Sequence, residues 1–413
     1  GKTLTADDVV YSIRRMLDKK LALYATSQIG DSLAASGVKK VDKNTVRLNL
    51  KAANSVLPYA FGQYFMNIVP VGYKALKAGG KQIGTGPFTF GSWDRNLQIT
   101  YAKNPNYWKS GLPYLDELTL RMVPDQDQAI NLLVSGEVQA IASVNFPRVA
   151  ELQANPAVQI LDVPEPYRLA FHYLLTKTDA APWDNPSVRR ALNHAVDREA
   201  LLAATLGLGE IRSNPVAGGS WAFNPDAPSY NTRDLVQAKA LMAEAGYAEG
   251  APAFKTTLKY WKEWAQMPQI AQIVQANLAD IGIEVELQLL EIGQWVQTVA
   301  YDLDYEMALT ALVPRWDPSD QIGNAYKTDD GQALLWKNAD FDKLLLEGRS
   351  ELDPAKRAEI YAKMAKILWG EGGVIVPMFN DFIDAYSETI AGWREDPNFE
   401  LMGGKVSHYT WLA

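Results

Sequence analysis

The chain lacks the residues on which several kinds of chemistry depend. It has no cysteine among its 413 residues, which excludes thiolate zinc sites and thiol nucleophiles. Histidine is scarce, and none of His172, His194 and His408 has a second histidine or a carboxylate at the spacing of a metal site on a helix. The chain also contains no GxSxG, HExxH or Walker-type loop. We therefore expect no catalytic residue, no bound metal and no cofactor.

Long apolar runs and clusters of basic residues are missing as well. No run of 18 apolar residues occurs, so no segment is expected to span a bilayer. The net charge is −8 and lysine and arginine do not cluster, which argues against a nucleic-acid partner. Apolar residues make up 47% of the chain, as is typical of a globular protein. A chain of 413 residues is too long for one core, so two or three domains are expected.

The stretch from Gly84 to Val138 carries the most information. Its residue pattern predicts strands near Phe88–Phe90, Leu97–Tyr101 and Leu118–Val123, followed by a helix over Gln128–Val134 that Asp125 caps. Strands followed by a helix and another strand indicate an α/β unit. Five short motifs occur in order here: Gly84-Thr85-Gly86-Pro87-Phe88, Asn104-Pro105-Asn106-Tyr107-Trp108, Tyr114-Leu115-Asp116-Glu117-Leu118, Asp125-Gln126-Asp127-Gln128 and Ser135-Gly136-Glu137-Val138.

Helical and strand patterns also occur on both sides of this stretch. A hairpin is predicted over Val38–Leu50, with its turn at Asp42–Thr45, and an alternating strand over Ile283–Leu289. Apolar residues at helical spacing predict five helices, at Ala6–Lys19, Pro186–Leu206, Asp234–Ala245, Met267–Ile281 and Pro354–Trp369. The first of these begins with Thr5 as its N-cap and Asp8 three residues later. The chain is therefore predicted to be an α/β protein.

The ordered motifs of Gly84–Val138 resemble those of the extracytoplasmic solute-binding proteins of ABC importers. The closest resemblance is to family 5, whose members bind peptides, opines, nickel or oligosaccharides. Further segments match this family in order: NPSVRRALNHAVDREAL, AKALMAEAGY, IAQIVQANLADIGIEVEL and LDPAKRAEIYAKMAKIL. The resemblance thus covers nearly the whole chain. It implies a two-lobed periplasmic-binding-protein fold with a hinge and an additional small domain.

The resemblance also implies a division of the chain into units. Residues 1–82 would form part of the small extra domain and pack on lobe I. Lobe I would consist of residues 83–168 plus 388–413, and lobe II of residues 169–387. Because the LTADDV helix lies well inside the family's proteins, we expect that the N-terminal portion of the fold, with any signal peptide, precedes residue 1.

Four candidate ligand-binding residues follow from the same resemblance: Trp261, Arg315, Trp316 and Asp317. In dipeptide-binding relatives an aspartate near an Asp-Pro pair holds the α-amine of the peptide, and here Asp317-Pro318 matches that pair while Pro314 stands at the aspartate's position. The arginine that holds the peptide carboxylate falls close to Trp261. Because a buried charged terminus without a partner is costly, a free dipeptide is a poor fit. Indole rings instead suit stacking on flat or apolar ligand faces.

The sequence therefore predicts a receptor, not an enzyme, that captures a polar small molecule by lobe closure and delivers it to ABC transporter permease subunits. An oligosaccharide, glycoside or opine-like conjugate is favoured as ligand, and a peptide is the alternative. We expect a monomer in the periplasm, or a lipid-anchored extracellular protein. A more distant alternative is a secreted glycoside hydrolase, which needs two carboxyl groups about 5–10 Å apart across a cleft. A membrane-tethered chemoreceptor domain of the same fold also stays open.

Overall fold

The computed structural model describes most of the chain, in segments separated by short gaps. The described residues are 3–21, 24–62, 66–74, 82–142, 144–161, 169–213, 221–222, 224, 229–247, 252–264, 266–312, 317–319, 326–328, 335–371, 375, 379–381, 383–392 and 410–412.

The N-terminal unit is a small α/β module with its own core. Its elements are α1 (Ala6–Met16), a 3-10 turn (Lys19–Leu21), α2 (Tyr24–Ile29), β1 (Leu33–Lys40), β2 (Val46–Leu50) and α3 (Leu57–Ala60). The start of α1 is as predicted, since the Thr5 amide donates to the Asp8 carboxylate at 3.0 Å. The predicted hairpin is confirmed, because β1 and β2 pair antiparallel.

The next part of the chain has an antiparallel sheet followed by alternating helices and short strands. Its elements are β3 (Phe88–Asp94), β4 (Gln98–Lys103), β5 (Glu117–Arg121), α4 (Gln126–Val134), β6 (Ala140–Ile141), α5 (Phe146–Ala154) and β7 (Val158–Leu161). The three predicted strands are thus confirmed. The Asp125 carboxylate accepts from the Gln128 amide at 2.8 Å, which confirms the predicted cap of α4.

The largest unit is a six-stranded mixed sheet covered by helices. Its elements are β8 (Leu169–Thr176), α6 (Pro186–Ala195), α7 (Arg198–Ala204), β9 (Gly209–Glu210), α8 (Leu235–Glu244), β10 (Phe254–Trp261), α9 (Met267–Ala279), β11 (Ile283–Leu290), α10 (Ile292–Trp295), a π-helix (Val296–Tyr301), β12 (Met307–Leu312), α11 (Ala339–Ser350), α12 (Pro354–Glu371) and β13 (Phe379–Asp381). The strand order is β11-β10-β12-β8-β13-β9. Strands β11, β10 and β12 are parallel, and β8 is antiparallel to β12.

One predicted helix of this unit is two helices in the structure. The segment Pro186–Leu206 has helical apolar spacing throughout, but α6 ends at Ala195 and α7 begins at Arg198. The break occurs because Asp197 takes an extended backbone conformation and its carboxylate accepts from the Ala200 amide at 2.9 Å, which caps a new helix.

Strand pairing shows where the chain passes between the large sheet and the preceding part. The first passage is between β7 and β8. On the return, β13 pairs with β8, whereas β14 (Asp384–Ser387) pairs with β6 and β7. The return therefore lies between β13 and β14, and residues 384–387 pair with the 83–168 part although the predicted boundary at 387/388 placed them in lobe II.

Two further contacts concern the predicted lobes. Strand β15 (Ile390–Ala391) pairs with β16 (Trp411–Leu412), and the Trp411 ring lies 5.8 Å from the ring of Tyr114. The division of the chain into lobes, with residues 388–413 in lobe I, stays a prediction. The N-terminal unit contacts the large unit, since Asp31 pairs with Lys327 at 2.9 Å and with Arg349 at 3.4 Å. Its predicted packing on lobe I stays a prediction.

Candidate functional site

The carboxyl edge of the parallel strands is where a ligand site is expected. Strands β10, β11 and β12 all end at this edge. Strand β8 begins there, because Phe171 pairs with Leu312 at the end of β12. Strand β13 ends there as well, since Asp381 pairs with Leu169. Both chain passages between the units therefore leave from this edge, and ligands of open α/β sheets bind at the carboxyl ends of the strands.

Four aromatic side chains meet at this edge and form what we name the edge cluster: Trp261, Trp264, Trp295 and His172. The ring of Trp261 lies 4.8 Å from that of Trp295 and 6.1 Å from that of Trp264. Trp264 in turn lies 5.9 Å from His172. All three pairs are edge-to-face, the arrangement that aromatic rings prefer.

Two tryptophans of the edge cluster are buried. Trp261 is 4% exposed and Trp295 is 6% exposed. Within the described part of the chain, neither indole Nε1 has a hydrogen-bond acceptor. A buried donor without an acceptor costs about 1–3 kcal/mol. Stacking of a ligand on Trp261 would need an open ring face, but the ring of Trp261 is covered, because Trp264 and Trp295 pack against it.

Two polar contacts tie the loops that carry these tryptophans. Lys262, directly after β10, forms an ion pair with Glu291, directly after β11. The Ile292 amide donates to the Glu263 carboxylate at 3.0 Å. The hydrogen bond from Lys262 holds the pKa of the Glu291 carboxyl below its usual range. An exposed pair of this kind contributes little stability, but together the contacts fix the relative position of the two loops.

Asp317, the fourth predicted ligand residue, is buried in a polar network. Its two carboxylate oxygens accept from Arg357 Nη2 at 2.8 and 2.9 Å. The Ser319 amide and hydroxyl also donate to this carboxylate, at 2.9 and 2.7 Å. Arg357 lies on α12, so this helix holds the start of the 317–319 segment. The predicted residues Arg315 and Trp316, directly before it, lie outside the described residues.

Arg357 makes further contacts that fix its orientation. Its Nε donates to the Gly348 carbonyl at 2.9 Å, and its Nη2 donates to the Tyr361 hydroxyl at 2.9 Å. The guanidinium lies 4.8 Å from the ring of Trp221, in a cation–π contact. Burial lowers the pKa of Arg357, but Asp317 and Tyr361 outweigh burial and raise the pKa above its ordinary value. Arg357 is therefore held as a charged anchor.

Two of the four predicted residues, Trp261 and Asp317, lie in the described part of the chain. Trp261 belongs to the edge cluster and Asp317 to the network of Arg357. Whether the four predicted residues contact a ligand stays a prediction. The sequence analysis missed Trp295, although it stands only six residues after the predicted strand Ile283–Leu289. It also missed Arg357, because nothing in the sequence distinguishes this arginine from the other charged residues of its helix.

No group of three or more histidine, aspartate or glutamate side chains suited to a metal ion occurs among the described residues. No described helix combines the length and the apolar character needed to span a membrane.

The sequence matches a known protein family over most of its length. The sequence model of the bacterial extracellular solute-binding proteins, family 5 (middle), matches residues 1–333. Heme-binding protein A of Haemophilus influenzae is 30% identical to the chain, over 96% of this chain and 75% of that protein. Di/tripeptide-binding protein 1 of Pseudomonas aeruginosa is 28% identical, over 89% of this chain and 72% of that protein.

Solved structures of similar proteins have the same fold. The periplasmic binding protein AgaA of A. tumefaciens R10, in complex with agropinic acid, superposes with a TM-score of 0.85 at 27% identity. This superposition covers 95% of the present chain and 80% of AgaA. DppA of Helicobacter pylori, in complex with the peptide STSA, superposes with a TM-score of 0.86 at 23% identity, over 99% of this chain and 81% of DppA. The chain therefore has the two-lobed fold of periplasmic binding proteins.

Proposed function

Because the chain belongs to family 5 of the bacterial extracellular solute-binding proteins, we propose that it is the substrate-binding receptor of an ABC importer. The observation that carries this proposal is the family match over residues 1–333, together with a fold in which both chain passages leave from the carboxyl edge of the large sheet. The receptor would capture a solute between the lobes and present it to the permease subunits. It would act in the periplasm or as a lipid-anchored extracellular protein, as a monomer and without catalysing a reaction.

The proposed ligand is a small organic acid, with an opine-like conjugate in first place. One relative in this fold, at 27% identity, is in complex with agropinic acid. The oligosaccharide or glycoside that the sequence analysis favoured finds no support among the relatives described here, so we no longer favour it. Pro314 and Trp261 stand where the resemblance places the charged anchors of a short peptide, which argues for the opine-like class.

A short peptide is the second candidate ligand. The relative from Pseudomonas aeruginosa is a di/tripeptide-binding protein. A peptide offers a carboxylate and several amide oxygens, which are the same acceptor groups that an opine-like conjugate offers. Binding of a peptide would then depend on acceptor groups more than on its charged amine.

The four predicted site residues keep distinct roles in this proposal. Trp316 would contact the apolar parts of the ligand, and Arg315 would bind its carboxylate through charge-assisted hydrogen bonds. Trp261, whose ring is covered by its neighbours, would contact the ligand only through the edge of its indole. Asp317 already accepts from Arg357 with both carboxylate oxygens. We therefore propose that Asp317 acts by holding the segment that carries Arg315 and Trp316.

Thermal shift followed by titration calorimetry tests the proposed function. Wild-type protein is measured with agropinic acid, with the dipeptide Met-Leu and with maltotriose. We expect agropinic acid to raise Tm most, Met-Leu less and maltotriose not at all. A Tm that rises only with maltotriose would contradict the proposed ligand class. Incubation with chromogenic glycosides, compared with a heat-denatured control, tests the hydrolase alternative, and turnover above that control would contradict a receptor without enzymatic activity.

A further inference from the structure

We propose that the indole N–H groups of Trp261 and Trp295 form a donor pair that binds one oxygen-bearing acceptor group of the ligand, a carboxylate or an amide carbonyl. The proposal rests on the proposed function and adds to it the chemistry of one contact. It also adds Trp295, which the sequence analysis did not single out.

The position of the two residues is the first support for this donor pair. Trp261 is the last residue of β10, and Trp295 ends the short helix that follows β11. The two strands are parallel and in register up to Trp261 and Leu290, so both tryptophans follow from the same sheet edge. The two loops are tied by the Lys262–Glu291 ion pair and by the hydrogen bond from Ile292 to Glu263. The pair is therefore held in place before any ligand arrives, which lowers the cost of binding.

The second support is that both donors are buried and have no acceptor among the described residues. Each indole N–H is a donor only, so an acceptor is the one kind of group that can satisfy it. Buried polar groups in proteins are nearly always paired, and two unpaired donors in contacting side chains are rare. Their ring centroids are 4.8 Å apart and the rings touch, so the two N–H groups belong to one small site.

An N–H donated to an aromatic face is the alternative explanation for an unpaired indole. The two rings meet at 71°, so the edge of one ring faces the other. In such an arrangement only one of the two rings points its edge at its neighbour, and at most one of the two N–H groups can be satisfied by this pair. Trp264, 6.1 Å from Trp261 at 69°, offers a second ring face, but an N–H donated to a ring makes a weaker hydrogen bond than one donated to oxygen. A ligand oxygen supplies the stronger acceptor, whereas a ligand amine, which is a donor, cannot.

Phenylalanine substitutions test the donor pair because they keep an aromatic ring and remove the N–H. The variants are Trp261→Phe and Trp295→Phe. The matched control is Trp183→Phe, since Trp183 is 2% exposed and packs at 5.2 Å against Phe254, the first residue of β10 and thus at the opposite edge of the same sheet. We expect each edge variant to bind agropinic acid, or Met-Leu if only the peptide binds, about tenfold more weakly than wild type. The control should bind as wild type does.

The outcomes separate this proposal from the proposed function. If wild type binds a probe and both edge variants keep its affinity, the donor pair is wrong while the receptor function stands. If none of the probes binds wild type, the proposed ligand class fails and the donor pair fails with it. If the edge variants do not fold, the test uses wild type labelled with 15N-tryptophan. Its 12 tryptophans each give one indole N–H resonance, which is followed with and without the probe. Two resonances that move downfield on saturation with the bound probe support the pair, and none moving overturns it.

Discussion

A single nitrogen of Arg357 donates to both carboxylate oxygens of Asp317, at 2.8 and 2.9 Å. Both side chains are buried, and the pair joins α12 to the segment directly after Arg315 and Trp316. Removing one partner of a buried ion pair leaves the other charged and unpaired, which costs more than the pair itself contributes.

The first prediction is that Asp317→Ala destabilises the fold by about 3–5 kcal/mol, since Arg357 loses the partner of its buried charge. Urea denaturation of variant and wild type measures the change in the free energy of unfolding. The matched control is Glu284→Ala, which removes the exposed Lys255–Glu284 pair at 2.8 Å and should cost less than about 1 kcal/mol. Equal losses in the two variants would show that the Asp317–Arg357 pair is not buried in solution.

The second prediction concerns the contact between the N-terminal unit and the large unit. Asp31→Ala removes the partner that Lys327 and Arg349 share, at 2.9 and 3.4 Å. The backbone contact from the Ser55 amide to the Arg349 carbonyl, at 2.7 Å, stays in place. We expect a loss of about 1 kcal/mol and faster hydrogen exchange in β1 and β2 than in β10. Uniform exchange changes across both units would mean that the contact does not hold the N-terminal unit specifically.

The third prediction is a pH dependence that involves His194. Burial lowers the pKa of His194 below its ordinary value, Arg190 and Arg198 act in the same direction, and Asp234 opposes them. In the unfolded chain the pKa of histidine is about 6.5, so the unfolded state binds more protons as the pH falls through this value. The stability contributed by neutral His194 is therefore present above about pH 6.5 and is lost below it.

Thermal unfolding of wild type and His194→Asn across this range measures the effect. From about pH 7.5 to about pH 5.5 the Tm of wild type should fall more than that of the variant, because asparagine does not titrate. The carboxyl groups whose pKa is lowered, such as Glu151, lose their contribution to stability only at lower pH, so that contribution does not change in this window. Parallel Tm curves for the two proteins would contradict the prediction.

The fourth prediction tests the packing of a glycine in the N-terminal hairpin. A Cβ at Gly37 would lie 2.4 Å from the Asn49 carbonyl oxygen, which belongs to the paired strand and cannot move aside freely. We expect Gly37→Ala to cost about 1–3 kcal/mol through overpacking. Gly370→Ala is the control, because Gly370 lies in α12 with open space around its Cα, and alanine there should stabilise by about 0.4–1 kcal/mol. A neutral Gly37→Ala would show that the hairpin is looser than described.

Local signals explain what could be predicted from the sequence. Thr5 with Asp8, and Asp125, cap helices by contacts within three residues, so the starts of α1 and α4 can be predicted from the sequence alone. Gly282 follows the end of α9 at a positive φ of 82°, which is a local glycine signal as well.

Long-range contacts account for what the sequence analysis missed. The break at Asp197 follows from a cap that competes with continued helical spacing. Residues 384–387 do not belong to the large sheet, because they pair with β6 and β7. Those strands lie more than 220 residues earlier in the chain. The ring contact between Trp261 and Trp295 depends on the register of β10 and β11. That register arises only in the folded sheet, so the sequence alone does not predict the contact.

Native mass spectrometry of wild-type protein with the mixed probes tests the central claim of a solute receptor most directly. The protein is purified without denaturation and sprayed with equal amounts of agropinic acid, Met-Leu and maltotriose. The account predicts a one-to-one complex with a carboxylate-bearing probe, agropinic acid before Met-Leu, that dissociates when the protein is unfolded. A folded protein that retains no small molecule and binds none of the probes, or that binds maltotriose alone, would contradict it.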